Sequence, residues 1–166
     1  MYKRQIETNI KQKVIKTIPN EKVDELINQI DQRKGSILIF AKTKIGVDKL
    51  VKKLKANSVK ASALHGGMRQ NKRSKIMQNF RDERFRILVA TDIASRGLDV
   101  PHIEHIINYD MPQAPEDFIH RIGRTARAGS VGEAVSFLTQ KDTRIWRSIE
   151  RLLNNCLLYT SPSPRD

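Results

Sequence analysis

Arg86-Ile87-Leu88-Val89-Ala90-Thr91 runs directly into Asp92-Ile93-Ala94-Ser95-Arg96-Gly97-Leu98-Asp99-Val100, so a short unbroken apolar stretch ends in polar residues and a glycine. A brief β-rich run of this kind, bounded by a turn signal, is how a strand buried on both faces reads. Ser36 to Ala41 (SILIFA), Val59 to Ala63, His105 to Asn108 (HIIN) and Glu133 to Leu138 (EAVSFL) read the same way. Between them, or before the first, Val23, Leu26, Ile27 and Ile30 share a helical face. Val47, Leu50, Val51 and Leu54 share another, and Ile76, Met77 and Phe80 a third. Strand, about a dozen helical residues, strand is the spacing of right-handed crossover units. The expected fold class is therefore α/β, a three-layer domain with a mainly parallel sheet and helices on both faces.

Asp110 to Pro115 (DMPQAP) reads as a loop, with Pro115 suited to the first turn of a helix and Glu116 and Asp117 favourable at its positive end. Ala128 to Gly132 is expected to turn, and a last helix from about Lys141 to Leu153 carries Ile145, Ile149 and Leu152 on one side. From Cys156 the text changes to CLLYTSPSPRD, without period, and is expected to be a disordered or non-native tail.

At 166 residues the chain has room for one domain of ordinary size. Charged side chains break every apolar run well short of the roughly 18 residues a membrane helix needs, so no membrane partner is expected. No apolar signal region follows Met1, and a cytoplasmic, reducing setting is the default expectation. The single cysteine excludes an internal disulfide, and the four histidines lack a ligand-like arrangement, so no metal held by this chain alone is expected. The net charge of +13 makes a polyanion the first partner to consider, nucleic acid ahead of an anionic membrane. Residues 1–60 hold 15 basic and 6 acidic side chains, which concentrates the excess in the first segment. Aromatics are only 5%, which favours contacts to sugar and phosphate over base stacking.

The segment richest in chemistry is His120-Arg121-Ile122-Gly123-Arg124-Thr125-Ala126-Arg127. If helical geometry runs through it, His120, Arg124 and Arg127 share a face, and two guanidinium groups there could clamp a phosphate. A basic helix face in water is the bland alternative. Thr91 and Asp92 stand at the carboxyl end of the strongest strand, where open parallel sheets bind ligands. Asp92 could instead cap the next short helix, and Asp99 a turn.

Five ordered segments, SILIFAKTK (36–44), LHGGMRQNKR (64–73), VATDIASRGLDV (89–100), INYDMP (107–112) and HRIGRTARAG (120–129), resemble the second, C-terminal RecA-like domain of DEAD-box ATP-dependent RNA helicases of superfamily two. The resemblance covers about residues 5–153, and the bacterial members look closest. It implies residues 1–20 as interdomain linker and edge strand, 21–153 as the RecA-like domain and 154–166 as tail. It implies Arg124 and Arg127 as catalytic arginine fingers, Gly97 and Asp99 as ATP-binding, and Arg96 and His120 as coupling to the first domain. Thr43, Gly66, Arg73 and Thr91 would meet the RNA backbone, with Gln70 supporting Arg73. ATP and Mg²⁺ would be held mainly by the N-terminal RecA-like domain of the same protein, the second partner besides single-stranded or short duplex RNA.

Two residues depart from the family pattern: Gly67 stands where Asp is usual, and Ala126 where Gly is common. The chain also contains no G-x-x-x-x-G-K-[ST] loop and no Asp-Glu-Ala-Asp box, so it is expected to be inert alone. Two other readings remain at this stage: a free-standing RNA-binding module without nucleotide, and the corresponding domain of a DNA-directed relative.

Overall fold

The apolar runs do become strands, and all pair in parallel within one six-stranded sheet. This computed structural model describes residues 10–98, 103–122 and 132–154. Along the chain come β1 (Ile10–Lys16), α1 (Lys22–Asp31), β2 (Ile37–Phe40), α2 (Lys44–Ala56), β3 (Ser62–Leu64) and α3 (Gln70–Arg81). They are followed by β4 (Ile87–Ala90), the single turn α4 (Asp92–Ser95), β5 (His105–Asn108), α5 (Pro115–Ile122), β6 (Gly132–Leu138) and α6 (Thr143–Asn154). Across the sheet the order is β1-β6-β5-β2-β4-β3.

Period-two alternation sorts the strand residues into two cores. Leu38, Phe40, Leu88, Ala90 and Ile106 pack with Phe80 of α3, Phe118 and Ile122 of α5, and Trp146 and Ile149 of α6. Ile37, Ile39, Ile87, Val89 and Ile107 pack on the other face with Leu26 and Ile30 of α1 and Val47, Leu50 and Leu54 of α2. Burying each such side chain stabilises by about 1.5–3 kcal/mol, which is why β2 and β4, apolar at every position, lie inside the sheet and not at its edges. The result is the expected three-layer α/β architecture, that of a RecA-like domain.

Several boundaries differ from the expected ones, each for a local reason. The third strand starts at Ser62, not Val59, because the Val59 N–H donates to Leu54 O and Ser58 adopts φ 64°, wrapping residues 57–59 around the end of α2. Thr91 leaves its strand to cap a helix, and Asp92 is not the cap. The last helix opens at Thr143 because Gln140–Asp142 forms a 3-10 turn, closed by a reciprocal capping box between Thr139 and Asp142. The expected turn before Gly132 and the tail from residue 155 lie outside the described residues. One glycine is obligatory: Gly35 has φ +88°, and a Cβ there would fall on the Glu104 carboxylate, which accepts from Ser36 N–H.

Adjacent β2 and β5 send their following helices to opposite faces, α2 to one and α5 to the other. Such a switch in an open parallel sheet parts the loops at the carboxyl ends and leaves a crevice between them.

Candidate functional site

The ends of β2, β3 and β4 meet beside that crevice. After β2, Thr43 caps α2, its Oγ1 accepting from Gly46 N–H at 2.9 Å. After β4, Thr91 caps α4 in the same way, accepting from Ala94 N–H at 3.4 Å. In both, the oxygen is occupied as acceptor while the hydroxyl proton can still be donated outward. With Lys42 and Gly66 they line a concavity of about 580 Å³. Its rim carries Ile45 and Ile93, large apolar side chains left 68% and 74% exposed. Thus Thr43, Gly66 and Thr91, expected to act together, do come together.

Gln70 and Arg73 stand in the first turn of α3 and do not line this concavity. Gln70 Oε1 accepts from Arg73 Nη1 at 3.4 Å. Arg73 Nε is buried without a hydrogen-bond partner among the described residues, so part of its donor capacity is unused. Gly67 donates its N–H to His65 Nδ1 at 3.1 Å, and His65 Nε2 lies 3.0 Å from Asp48. A Cβ at Gly67 would sit 3.2 Å from the His65 ring, so an Asp in this place would crowd it.

The centre of the site is a residue the sequence reading passed over. Arg121 is 1% exposed and forks onto Asp92, Nε to Oδ1 at 2.6 Å and Nη2 to Oδ2 at 2.8 Å. Its Nη1 donates to Asp110 O at 2.6 Å and to Asn108 Oδ1 at 3.3 Å, and the guanidinium lies 4.8 Å from the Phe40 ring centroid. Bidentate, charge-assisted bonds of this kind are about twice as strong as neutral ones and fix orientation as well. Asp92 is therefore an ion-pair partner, where a helix cap was one expectation. The available signal was periodicity: Phe118, Arg121 and Ile122 share one face of α5, and an arginine among core residues needs buried partners.

Asp110 extends the network. Its Oδ2 accepts from Lys42 N–H and its Oδ1 from Lys22 Nζ, both at 2.9 Å, and Lys22 lies 4.2 Å from the centroid of the Tyr109 ring. Burial, aided by the Asp110 carboxylate, pushes the Tyr109 hydroxyl up to about 12. One connected set of polar contacts thus ties the loop after β2, the loop after β4, the loop after β5 and helix α5.

Arg96 is exposed and pairs with Asp117 at 3.3 Å, at the edge of a smaller concavity of about 260 Å³ that also includes Lys42, Thr91 and Gln113. His120 is exposed on α5. At Gly97 a Cβ would meet only ordinary contacts, Met77 Sδ at 3.7 Å being the nearest, so neither φ nor internal packing demands glycine there. Asp99, Arg124 and Arg127 lie outside the described residues.

A RecA-like sheet with its polar residues gathered at the strand carboxyl ends defines the class. Within it, the model of the helicase conserved C-terminal domain matches residues 20–129, and the chain belongs to that family. It corresponds to the C-terminal helicase region of ATP-dependent DEAD-box RNA helicases. It is 42% identical over 130 residues to the ATP-dependent RNA helicase DBP8 of Vanderwaltozyma polyspora, covering 78% of this chain and 30% of that protein. It is 41% identical over 143 residues to the ATP-dependent RNA helicase CshA of Limosilactobacillus reuteri, covering 86% of this chain and 29% of that one. Among solved structures, S. cerevisiae Dbp5 bound to RNA and ADP BeF3 superposes with a TM-score of 0.83 at 29% identity, covering 96% of this chain and 42% of that one. The chain thus spans about three-tenths of the length of the curated relatives it matches. Eukaryotic and bacterial relatives match equally well, so the expected narrowing to bacterial members gives way to the DEAD-box group as a whole.

Proposed function

We propose that this chain is the second half of a composite ATPase site and RNA-binding cleft, working with an N-terminal RecA-like domain in local unwinding of RNA duplexes. The observation that carries the reading is the convergence of Thr43, Gly66 and Thr91 on one basic-edged concavity, which shares Lys42 with the Arg121 and Asp110 network. The threonine hydroxyls and the lysines Lys42 and Lys44 of this lining would suit sugar and phosphate oxygens, with no base-specific group required. Gln70 and Arg73 would hold a further phosphate from the start of α3.

Arg124 and Arg127 follow α5 directly in sequence, and we assign them as the arginine fingers. By gripping Asp92 and Asp110 O, Arg121 would fix the helix that precedes the fingers in sequence relative to the RNA loops. Gly97, exposed beside Arg96, would let a nucleotide approach the backbone, and Asp99 would meet its ribose. ATP with Mg²⁺, held mainly by the N-terminal domain, would supply the phosphoryl group. Among the described residues no group of three or more His, Cys, Asp or Glu gathers, so this half offers cationic and hydroxyl groups to the phosphates.

The test compares ATP hydrolysis by this chain alone and by the chain joined to an N-terminal RecA-like domain, each with and without single-stranded RNA. Turnover is expected only from the joined protein with RNA, and Arg124→Ala or Arg127→Ala should abolish it while sparing RNA binding. Arg73→Ala should weaken RNA binding. Equal loss of RNA binding in all three variants would favour a nucleotide-independent RNA module instead, and stimulation by DNA alone would point to a DNA-directed enzyme.

A further inference from the structure

Helix α2 begins at the Thr43 cap and carries Lys49, Lys52, Lys53 and Lys55, all exposed, on the side opposite the buried Val47, Leu50 and Leu54. Solvated helix faces ordinarily mix signs, because like charges three or four positions apart destabilise a helix while opposite charges support it. Here Lys49 stands three and four positions before Lys52 and Lys53, and Lys52 three before Lys55. The one acid on the helix, Asp48, is engaged by His65. The neighbouring α1 bears Asp24, Glu25 and Asp31, yet none of the four lysines forms an ion pair with any described residue. Lys53 and Lys55, in the last turn, are favoured by the negative end of the helix dipole, while Lys49 and Lys52 have no ion pair among the described residues to offset their repulsion.

The placement of this face says what would relieve it. Thirteen helical residues extend roughly 20 Å from the concavity at the strand ends, at about 1.5 Å per residue. Across from the helix, Arg69 and Lys72 of the loop and first turn of α3 share a groove of about 570 Å³ with Asp48 and His65. The helix carries no aromatic residue to stack a base. A chain of phosphates leaving the concavity would find spaced point charges and nothing that distinguishes one base from another.

We infer that the lysine face of α2 is a second RNA-docking surface, holding the sugar-phosphate backbone of the segment that flanks the strand bound at the carboxyl end of the sheet. This rests on the RNA-binding reading above. The lysines add affinity for long RNAs only, and do so electrostatically, so the added affinity collapses with salt. At about 0.7 in salt slope per phosphate neutralised, four engaged lysines contribute a slope of about 2.8, a roughly fiftyfold weakening between 50 and 200 mM salt.

The experiment measures binding of this chain to a uridine hexamer and to a long polyuridine by fluorescence anisotropy across salt. A variant with Lys49, Lys52, Lys53 and Lys55 all changed to Gln is compared with one in which all four become Arg. The Gln variant is expected to bind the hexamer as the unaltered chain does and to lose the extra affinity and extra salt slope for polyuridine, while the Arg variant keeps both. Polyuridine binding unchanged in the Gln variant overturns the inference, as does equal loss for both lengths, which would place the lysines in the core site. Loss of binding to polyglutamate with polyuridine binding intact overturns it in favour of a basic partner-binding face for acidic protein. An unaltered chain that binds neither RNA removes the underlying reading as well.

Discussion

Arg121→Met is the substitution that probes the centre of the structure most directly. It removes a guanidinium that is 1% exposed, the two bonds to Asp92, and the bonds to Asp110 O and Asn108 Oδ1, while keeping a side chain of similar length to fill the space above Phe40. Removing one partner of a buried ion pair costs about 3–5 kcal/mol, because the other charge stays behind unpaired. Asp92 keeps 23% side-chain exposure, so water will hydrate part of it and the loss should fall near the lower figure. Against a total stability of about 5–15 kcal/mol this is large, and at 2–4 °C per kcal/mol for a chain of this size it lowers the melting temperature by roughly 6–12 °C. Trp146, the only tryptophan in the sequence, is 3% exposed and packs edge-on at 5.6 Å from Phe118 of α5, so urea unfolding can be followed by its fluorescence. The decisive comparison adds Asp92→Leu to Arg121→Met, since apolar replacement of both partners removes the stranded charge and should recover stability relative to the single variant. A single-variant loss below about 1 kcal/mol, or a double variant less stable than the single, would refute the account of Arg121 as a buried ionic centre.

Other outcomes follow from the same geometry. Gly35→Ala, at φ +88° and against the Glu104 carboxylate, should cost more than about 1 kcal/mol; an unchanged melting temperature would contradict that. Thr43→Ala removes the cap of α2 and should cost about 1 kcal/mol, with Thr43→Ser restoring most of it in the same melts. Tyr109 holds its proton in the folded state up to about 12 but releases it near 10 when unfolded, so its contribution is complete below pH 10 and is lost as pH rises toward 12. Tyr109→Phe should flatten that alkaline decline in denaturation midpoints. Burial would raise the Glu133 carboxyl, but the hydrogen bond and charge of Arg33, with His105 and Lys13, hold it below its usual value. Its contribution is present above the ordinary carboxylate range and is lost as pH falls below it, so Glu133→Gln should shallow the acid limb of the stability profile.

The strands were legible because parallel strands buried on both faces leave unbroken apolar runs, as in Ile37–Phe40 and Ile87–Ala90. β1 offered no such run: at the sheet edge its Lys11, Lys13 and Lys16 interrupt the apolar residues, which an edge tolerates. Thr91 could be found because a strand end locates it without any knowledge of packing, whereas Thr43 and Gly66 rested on the family resemblance alone. Arg121 and Asp110 could not be found that way. Arg121 meets Asp92 and Asp110 meets Lys42 across long stretches of chain, and no local spacing encodes which carboxylate a buried arginine will reach. The alternative in which Asp92 caps the helix fails for a related reason, since Thr91 already fills that place and leaves the carboxylate to pair with Arg121.

The pairing of β1 with β6 also bears on how the chain is made. Ile10 lies against Gly132 and Lys16 against Leu138, and among the described residues β1 has no other neighbour in the sheet. During synthesis the first strand therefore emerges long before its only mate, while β2, β4 and β5 can already assemble around each other. Joining the two ends is a high-separation contact and so a slow, late event in folding. In that interval β1 is an unpaired edge open to strands of other nascent chains. The lysines that obscured it in the sequence are what would keep such chains apart until the last strand arrives.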